Sequence, residues 1–415
     1  MQYPQAIRDS IHGYIRLTDA EVQGINCREL QRLRHVRQLG LTDQVYPGAS
    51  HSRFEHALGT LEMATRTLEE LRGRDGIDGL LPALGLPAKG HEYEQLLRTL
   101  RWVALLHDVG HPPFSHVTEG LLPADLNHEE LTVELVHGGR VGEILHRDGV
   151  EVARDVVTVL RELSPRGTPQ PLPPSLDFVR QLIAGPIGAD RMDYLSRDSA
   201  ATGVSYGVFD AGRILHTLVV VPNADGTPRL GIERGGVLAV EGMLWGRLSM
   251  FQQVYLHRTR RILDRHLTDY LRVALPDGCY PRESASYLEW TDPRVWEMLR
   301  IDANDERAPG HRDARRVLHR EHHRTLPQEL EGSDRATLHG WLAEWAARIR
   351  EAVPAADPIQ DVVSTEHRAA EIPVRTGNGE IMSLREVSSL LVGLRLRPTG
   401  RMYVDRGVAD VPGYP

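Results

Sequence analysis

The most constraining feature of this sequence is a forced helix end that carries a histidine and an aspartate side by side. A hydrophobic run begins at Trp102 and leads into residues 105–116, and its pattern is typical of the buried face of a helix. Gly110 and the Pro-Pro pair just after it stop that helix. Adjacent side chains diverge inside a helix but can point to one place at its end, so His107 and Asp108 can act together. With two further histidines in the same stretch, they predict a site for a divalent transition metal.

The composition is that of an ordinary globular protein. The chain has 415 residues, of which 41% are hydrophobic and 26% charged, and its formal net charge is −8 at pH 7. That negative balance argues against a protein that coats nucleic acid, since duplex-binding proteins usually carry a basic one. Cys27 and Cys279 are the only cysteines, which argues against a disulfide framework or a cysteine-based zinc site. No signal peptide or membrane-spanning run is evident, so the expected location is the cytoplasm, without membrane contact.

The spacing of apolar residues predicts a mainly α-helical chain. The exceptions are a turn or hairpin at Ile7–Leu17 and a β-hairpin at about residues 215–234, where residues 223–226 (Asn-Ala-Asp-Gly) supply the turn. Glycine and proline predict a surface loop over residues 73–90. One long helix is expected from about Val240 to Leu275.

These patterns predict two regions. Residues 1–275 would form the helical core, with the hairpin inserted in it. Residues 276–415 would form a smaller C-terminal α+β region, because a helix followed by a strand is expected near the end of the chain.

Several blocks of sequence, separated along the chain, together resemble one family. They are Gln31-Arg32-Leu33-Arg34, Gln38-Leu39-Gly40, residues 46–56, residues 107–116, and Asp190-Arg191-Met192-Asp193-Tyr194 with Arg197-Asp198. The blocks are similar to the HD superfamily of metal phosphohydrolases. They are most similar to the deoxynucleoside triphosphate triphosphohydrolases that combine SAM and HD domains, and to the bacterial relatives of those enzymes. The resemblance covers about residues 5–275, does not include the SAM domain, and implies a helical HD-domain core.

The resemblance implies that His56, His107, Asp108 and Asp190 are the metal ligands. Histidine and carboxylate ligands suit one divalent transition metal (Mn, Fe, Co, Ni or Zn), and Mg would be an additional ion. Such a set leaves coordination positions for water and a phosphate oxygen. Taken alone, His56 is equally well a helix-start histidine that bonds to the backbone.

The resemblance also implies roles for three histidines and a glutamate. His111 and His116 would contact the phosphate at the attacked phosphorus. His128 would be the general acid that protonates a leaving 5′-oxygen. In the family, an aspartate forms a hydrogen bond with the histidine at this position. Here Glu119 occupies the position of that aspartate. From the sequence alone, His128 is equally well a neighbour of the helix cap Asn127.

A triphosphate carries about four negative charges, so an acidic protein must gather cations around it. The resemblance places Arg53, Arg191, Arg247 and Arg258 at or beside phosphate contacts, and Arg191 stands where the family has lysine. Arg247 and Tyr255 are eight residues apart on one predicted helix, and so would share a face.

The sugar would be recognised by residues that the family also uses. Tyr194 would pack on the deoxyribose where a 2′-hydroxyl needs room, and Asp198 would accept the 3′-hydroxyl. Gln38 and Leu39 match positions that line the sugar. The family has a glutamine where Leu256 stands, so base recognition is expected to differ.

Three residues match the family's allosteric guanine-nucleotide pocket: Asn26, Gln31 and Arg34. The family has an aspartate at the first position, and asparagine loses the charge-assisted pairing with a guanine edge. We therefore expect a homo-oligomer, a dimer or a tetramer, whose nucleotide-driven tetramerisation is altered or missing.

The leading expectation is hydrolysis of deoxynucleoside triphosphates to deoxynucleosides and inorganic triphosphate. One alternative is a phosphohydrolase or phosphodiesterase that acts on another nucleotide or nucleoside phosphate. Another is a regulatory HD protein that binds single-stranded nucleic acid weakly. The products distinguish the first two, and salt-dependent binding without turnover would indicate the third.

Overall fold

A computed structural model describes residues 1–166, 170–326, 329–332, 334–363, 371–391, 398–406 and 408. The fold is mainly α-helical with small sheets, as the sequence predicts. Among the described residues, none of the helices is both long and apolar enough to cross a membrane.

The α-helices are α1 (Asp19–Ile25), α2 (Arg28–Arg32), α3 (Arg53–Ala83), α4 (Gly90–Leu106), α5 (His128–Gly138), α6 (Arg140–Asp148), α7 (Val150–Arg161), α8 (Pro174–Ala184), α9 (Ala189–Thr202), α10 (Ala211–Thr217), α11 (Val237–Met250), α12 (Arg258–Ala274), α13 (Ser284–Tyr287), α14 (Asp292–Asp302), α15 (His311–Leu318), α16 (Arg335–Ala352) and α17 (Leu384–Val387). The strands are β1 (Gln5–Asp9), β2 (Gly13–Leu17), β3 (Leu218–Pro222), β4 (Pro228–Glu233), β5 (Arg324–Thr325), β6 (Leu330–Glu331), β7 (Ile359–Val363), β8 (Pro373–Arg375), β9 (Ile381–Ser383) and β10 (Thr399–Val404).

Helices α3, α4 and α9 form the centre of the core, with α3 packed against both of the others. Gly59 on α3 allows α9 to come close, because a side chain at this position would overlap Asp193 and Arg197. Helix packing at such short distance requires a residue without a Cβ atom. The approach brings the first turn of α3, which carries His56, against α9.

Both predicted hairpins are present. Strands β1 and β2 pair in antiparallel fashion, and so do β3 and β4. Gly226 has a φ of 82° in the turn between β3 and β4, which explains the glycine there. The second hairpin also belongs to a larger sheet, because β4 pairs in parallel with β8, and β8 pairs with β9.

The C-terminal region is α+β, as expected, and its second sheet is built around β10. Strands β5, β6 and β7 all pair with β10. The main hydrophobic core continues past residue 276, since Leu299, Val317 and Val374 belong to the same buried cluster as the central helices.

The predicted long helix from Val240 to Leu275 is broken in the structure, and that expectation was wrong. Helix α11 ends at Met250, a π-helical turn spans Phe251–Tyr255, and α12 starts at Arg258. The Leu256 carbonyl accepts a hydrogen bond from Arg401 on β10, so a contact from a distant strand takes a group that a continuous helix would use. The side chain of His257 then caps α12 by accepting from the amide of Thr259.

The predicted loop over residues 73–90 is also wrong for most of its length, because α3 continues to Ala83. Gly76 adopts a left-handed conformation with a φ of 65° and interrupts the helical geometry. Beyond this break, Leu80 and Leu81 are completely buried. Their burial offsets the cost of about 1 kcal/mol for each glycine in a helix.

A buried histidine pair joins α12 to the chain just before β5. Nδ1 of His323 lies 3.2 Å from Nε2 of His266, and Nε2 of His323 lies 3.0 Å from the carbonyl oxygen of Asp357. Burial, reinforced by the positive charge of Arg316, lowers the pKa of His323 to about 4 even though Asp405 opposes the shift.

The low pKa of His323 predicts acid sensitivity. An unfolded histidine titrates near pH 6.5, so the unfolded chain binds more protons between pH 4 and 6.5, and the free energy of unfolding falls as the pH drops through this window. In His323→Gln, proton uptake on unfolding should be smaller by roughly one proton, measured by urea denaturation from pH 4.5 to 7. The same change at exposed His319 is the control, and an unchanged pH slope in His323→Gln would contradict the prediction.

Candidate metal and phosphoester site

The forced helix end does position a ligand atom. His107 caps the C-terminus of α4, and its Nδ1 donates a hydrogen bond to the carbonyl oxygen of Ala104 at 2.8 Å. Because Nδ1 carries the proton, Nε2 has a lone pair for a metal. Nε2 is buried and has no hydrogen-bond partner among the described residues. A buried ring nitrogen with a free lone pair and no hydrogen-bond partner in the described structure fits the role of a metal ligand.

Three of the predicted ligands, His56, His107 and Asp108, offer ligand atoms within 4.8 Å of one another, and Asp190 lies against both histidines. Nε2 of His56 lies 3.1 Å from Oδ1 of Asp190 and 3.6 Å from Oδ2 of Asp108. Nε2 of His107 lies 3.5 Å from Oδ1 of Asp108 and 3.9 Å from Oδ1 of Asp190. Ligand atoms that share an ion at about 2.0–2.2 Å stand about 3–4 Å apart. The residues present therefore fit one divalent cation.

A buried network holds His56 in place from behind. Its Nδ1 donates to Oδ2 of Asp193 at 2.8 Å, which leaves Nε2 for the cation. Asp193 also contacts Nε2 of His12 at 2.6 Å and accepts two hydrogen bonds from Arg197, which in turn pairs with Asp9. Burial alone would raise the pKa of Asp193, but the hydrogen bonds from His12 and His56 hold it far below the ordinary range.

No role was predicted for Asp193 or His12 from the sequence. Helical spacing offers a signal for Asp193, which is three residues beyond Asp190 and therefore lies on a neighbouring face of α9. No such signal exists for His12, because only the fold brings the β1–β2 turn next to α9.

Three histidines and a glutamate form a second cluster beside the ligands. The rings of His111 and His128 stack with centroids 3.8 Å apart, and the His116 ring meets His128 edge-on at 5.3 Å. Glu119 accepts from Nδ1 of His116 at 2.8 Å and from Nδ1 of His128. The predicted contact between Glu119 and His128 is therefore present.

The electrostatics of this cluster keep one histidine neutral and the glutamate ionised. Burial, reinforced by Arg53 and His128, lowers the pKa of His111 well below its ordinary value. Burial alone would raise the pKa of Glu119, but hydrogen bonds from His116 and His128 lower it far more. The cluster therefore combines a neutral imidazole with a charged carboxylate, which lies behind His116 and His128.

Arg53 supplies a fixed positive charge next to the ligands. Its guanidinium pairs with Asp108, and its Nε donates to Oγ of Ser115 at 2.6 Å. Burial would raise the pKa of Asp108, but Arg53 holds it well below the ordinary range. Asp108 is therefore an anion ready to bind a cation.

These groups face one cavity of about 480 Å³, a usual size for a small-molecule site. Its wall also contains apolar side chains, among them Leu163, Ile183 and Phe251. The predicted residues that line it are Gln38, Leu39, Arg53, His56, His107, Asp108, His111, His116, His128, Asp190, Tyr194, Asp198 and Tyr255.

At the predicted sugar end of the cavity, His51 contacts Asp198, and no role was predicted for His51 from the sequence. Asp198 accepts from the hydroxyl of Tyr255 at 2.6 Å, and Nε2 of His51 lies 2.8 Å from its other oxygen. Burial, together with the negative charge of Asp198, raises the pKa of Tyr255 well above its ordinary value. Each carboxylate oxygen has a second lone pair, so Asp198 keeps the capacity to accept a ligand hydroxyl.

Three of the four predicted phosphate-binding arginines lie outside this cavity. Arg258 is exposed at the start of α12, and Arg260 and Arg261 from the same helix line the cavity instead. Arg191 and Arg247 line a neighbouring cavity. Arg247 stacks on Phe251, whose ring meets that of Tyr255 edge-on at 5.1 Å, so contacts still join Arg247 to Tyr255 along the π-helical turn.

The predicted allosteric residues lie together on the surface. Asn26 is exposed at the end of α1, and Gln31 donates to the carbonyl of Ile25 at 2.7 Å. Arg34 donates to Gln31 at 2.9 Å and stacks on Phe54. A role in nucleotide binding for these residues stays a prediction.

Comparison with known proteins identifies the family. The HD domain profile matches residues 53–197, and the HD associated region matches residues 209–404. A hypothetical protein from Aquifex aeolicus has a crystal structure with a TM-score of 0.78 and 30% sequence identity, covering 97% of both chains. A phosphohydrolase from Bacteroides thetaiotaomicron shares the fold at 22% identity, with a TM-score of 0.73, over 97% of this chain and 99% of that one.

Curated relatives are longer than this chain. The uncharacterized protein YwfO of Bacillus subtilis is 36% identical over 273 residues, which cover 65% of this chain and 56% of YwfO. The deoxynucleoside triphosphate triphosphohydrolase SAMHD1 of Gallus gallus is 25% identical over 414 residues, which cover 88% of this chain and 64% of that protein. The chain thus spans little more than half the length of the first relative and under two thirds of the second.

The resemblance read from the sequence is confirmed by these matches. An HD domain with converging His56, His107, Asp108 and Asp190 is followed by an HD associated region that runs through the second hairpin and the C-terminal sheets. The chain belongs to the HD-domain family and carries the HD associated region after the domain.

Proposed function

We propose that this protein hydrolyses deoxynucleoside triphosphates to deoxynucleosides and inorganic triphosphate. The observation that carries the proposal is one cavity lined by the four predicted metal ligands, by His128, which Glu119 holds, and by Tyr194 and Tyr255 at the predicted sugar end. The similarity to the triphosphohydrolase SAMHD1, which extends over 88% of this chain, supports the same substrate class.

The metal ligands would hold a divalent cation that acts as a Lewis acid for phosphoryl oxygens and lowers the pKa of water. The chain itself orients the phosphate. Arg53 is buried and fixed by Asp108 and Ser115, so its charge is preorganised toward an anion in the cavity. Neutral His111 lies beside it and adds no second positive charge next to the ligands.

His128 is placed to move the proton that this reaction needs. A 5′-alkoxide is a poor leaving group until it is protonated. Nδ1 of His128 carries a proton and donates it in a hydrogen bond to Glu119. Nε2 is therefore the nitrogen that would donate a proton to the leaving oxygen. The ionised glutamate stabilises positive charge on the ring and sets its orientation.

A screen of all dNTPs and NTPs with Mn, Co, Fe and Mg, resolving triphosphate from orthophosphate, tests the proposal. Release of triphosphate and deoxynucleoside in equal amounts is the expected result. Stepwise orthophosphate release would assign the site to a different phosphohydrolase reaction. Salt-dependent binding of single strands without turnover would assign it to a regulatory role.

Asp198 gives a prediction about sugar recognition. The carboxylate is buried and would bond the 3′-hydroxyl, and a hydrogen bond to a charged group contributes about 1.5–3 kcal/mol. We expect a 2′,3′-dideoxynucleoside triphosphate to lose roughly 10- to 100-fold in kcat/KM relative to the dNTP.

In Asp198→Ala that penalty should nearly vanish, because the partner of the hydroxyl is gone. The ratio of kcat/KM for the two substrates in both proteins forms a double-mutant cycle. An undiminished penalty in the variant would show that another group binds the 3′-hydroxyl.

A further inference from the structure

A second cavity, of about 550 Å³, adjoins the cavity that the predicted metal ligands line, here called the metal cavity. Helix α8, the start of α9, helix α11, the hairpin and residues 371–373 form its walls. Ala184 lines both cavities. Arg247 forms the partition, because its Nε donates to the hydroxyl of Tyr194 at 3.3 Å and its guanidinium stacks on Phe251. Both of these partners line the metal cavity.

The second cavity carries more positive than negative charge. Four arginines line it (Arg180, Arg191, Arg229 and Arg247), against two carboxylates, Asp177 and Glu371. Four guanidinium groups around one cavity repel one another, which costs free energy. An anionic ligand would relieve that repulsion.

Two of these arginines donate to neutral carbonyl groups, and these bonds do not neutralise their charge. Arg191 donates from Nη1 to the carbonyl of Pro186 at 2.7 Å, and Arg229 donates from Nη2 to the backbone carbonyl of Glu371 at 2.7 Å. Nε of Arg191 is buried and has no hydrogen-bond partner in the part of the chain that the structure describes. A buried donor of this kind costs stability until a ligand satisfies it.

The walls are tied together, which favours a preformed site. The Gln181 side chain on α8 donates to the carbonyl of Pro228 at 3.0 Å and accepts from the amide of Leu230 at 2.9 Å. Arg180 is held on α8 by two hydrogen bonds to Asp177. A rigid arrangement of guanidinium groups binds phosphate oxygens in pairs at little entropic cost.

We propose that this cavity binds an inorganic polyphosphate of triphosphate size. It lies directly behind the partition of the metal cavity, and it would hold the triphosphate released there; this second step rests on the function proposed above. Guanidinium groups on four separate elements suit a chain of several phosphates better than a single one. Arg180 on α8 and Arg229 on β4 line this cavity and not the metal cavity, and neither contacts a residue that lines the metal cavity in the hydrogen bonds given above.

Isothermal titration with sodium triphosphate tests the binding directly and needs no turnover. We expect Arg180→Gln and Arg229→Gln each to weaken triphosphate affinity at least about tenfold. Exposed Arg147, which bonds to a carbonyl on its own helix, provides the control variant Arg147→Gln, with affinity unchanged. Melting temperatures identify any variant that has failed to fold, and Arg229→Lys, which keeps the charge, should recover part of the affinity.

The variant His107→Ala separates this proposal from the proposed reaction. Triphosphate should still bind to it within about threefold of the unchanged protein, because the second cavity is intact. If His107→Ala abolishes binding while both glutamine variants keep it, the anion belongs to the metal cavity and the proposal fails. Equal affinity for orthophosphate and triphosphate would also overturn it. If triphosphate binds as expected but no dNTP is hydrolysed, only the proposed reaction falls.

Discussion

Replacing His107 with alanine is expected to remove the bound divalent cation and to lower phosphohydrolase activity at least about 1,000-fold. Only the Nε2 side of this ring faces the ligand cluster, and the other nitrogen bonds to a local carbonyl. The change therefore removes a ligand atom, and the hydrogen bond lost with the ring, to Ala104, is local. A factor of 1,000 corresponds to about 4 kcal/mol, which is within what a metal contributes to stabilising charge on a phosphoryl group.

Metal content by mass spectrometry, measured together with activity, checks the prediction. His91 in the first turn of the same helix has a side chain that is 69% exposed, and His91→Ala should leave both quantities unchanged. One cation per chain retained by His107→Ala would refute the assignment of this residue as a ligand.

The place of His107 and Asp108 could be predicted because its logic is local, whereas His56 and Asp190 followed only from the resemblance to the family. Gly110 and the prolines forced α4 to end where His107 and Asp108 stand, and the structure does end the helix at Leu106. The second hairpin was equally local, since the turn residues before Gly226 require a tight reversal. Such features depend on a few neighbouring residues, so sequence patterns capture them.

The parts that could not be predicted depend on distant contacts. The break between α11 and α12 arises where Arg401 binds the carbonyl of Leu256, and no glycine or proline stands in the sequence at this point to mark it. Because of that break, Arg260 and Arg261 line the cavity and Arg258 does not. His51 and His12 act through partners more than a hundred residues away, and no spacing rule links them to those partners.

The second large effect on activity concerns the proton that the leaving 5′-oxygen receives. His128→Ala is expected to lower the rate of dNTP hydrolysis by about 100- to 10,000-fold, the usual contribution of a general acid. Metal content should stay the same, because His128 is in the second cluster and Glu119 holds it there. This separation of activity from metal content distinguishes a proton donor from a metal ligand.

A substrate with an acidic leaving group sharpens the test. Bis(p-nitrophenyl) phosphate releases a phenolate that needs no proton, so the loss in His128→Ala should be at least about tenfold smaller for it than for a dNTP. Glu119→Gln should show the same pattern in weaker form, since glutamine still bonds to the ring but does not stabilise its positive charge. His116 also bonds to Glu119, but its side chain is 64% exposed, and His116→Ala serves as the matched control, with a smaller loss for the dNTP. If His128→Ala slows both substrates by the same factor, the imidazole acts by binding phosphate and the leaving oxygen takes its proton from another group.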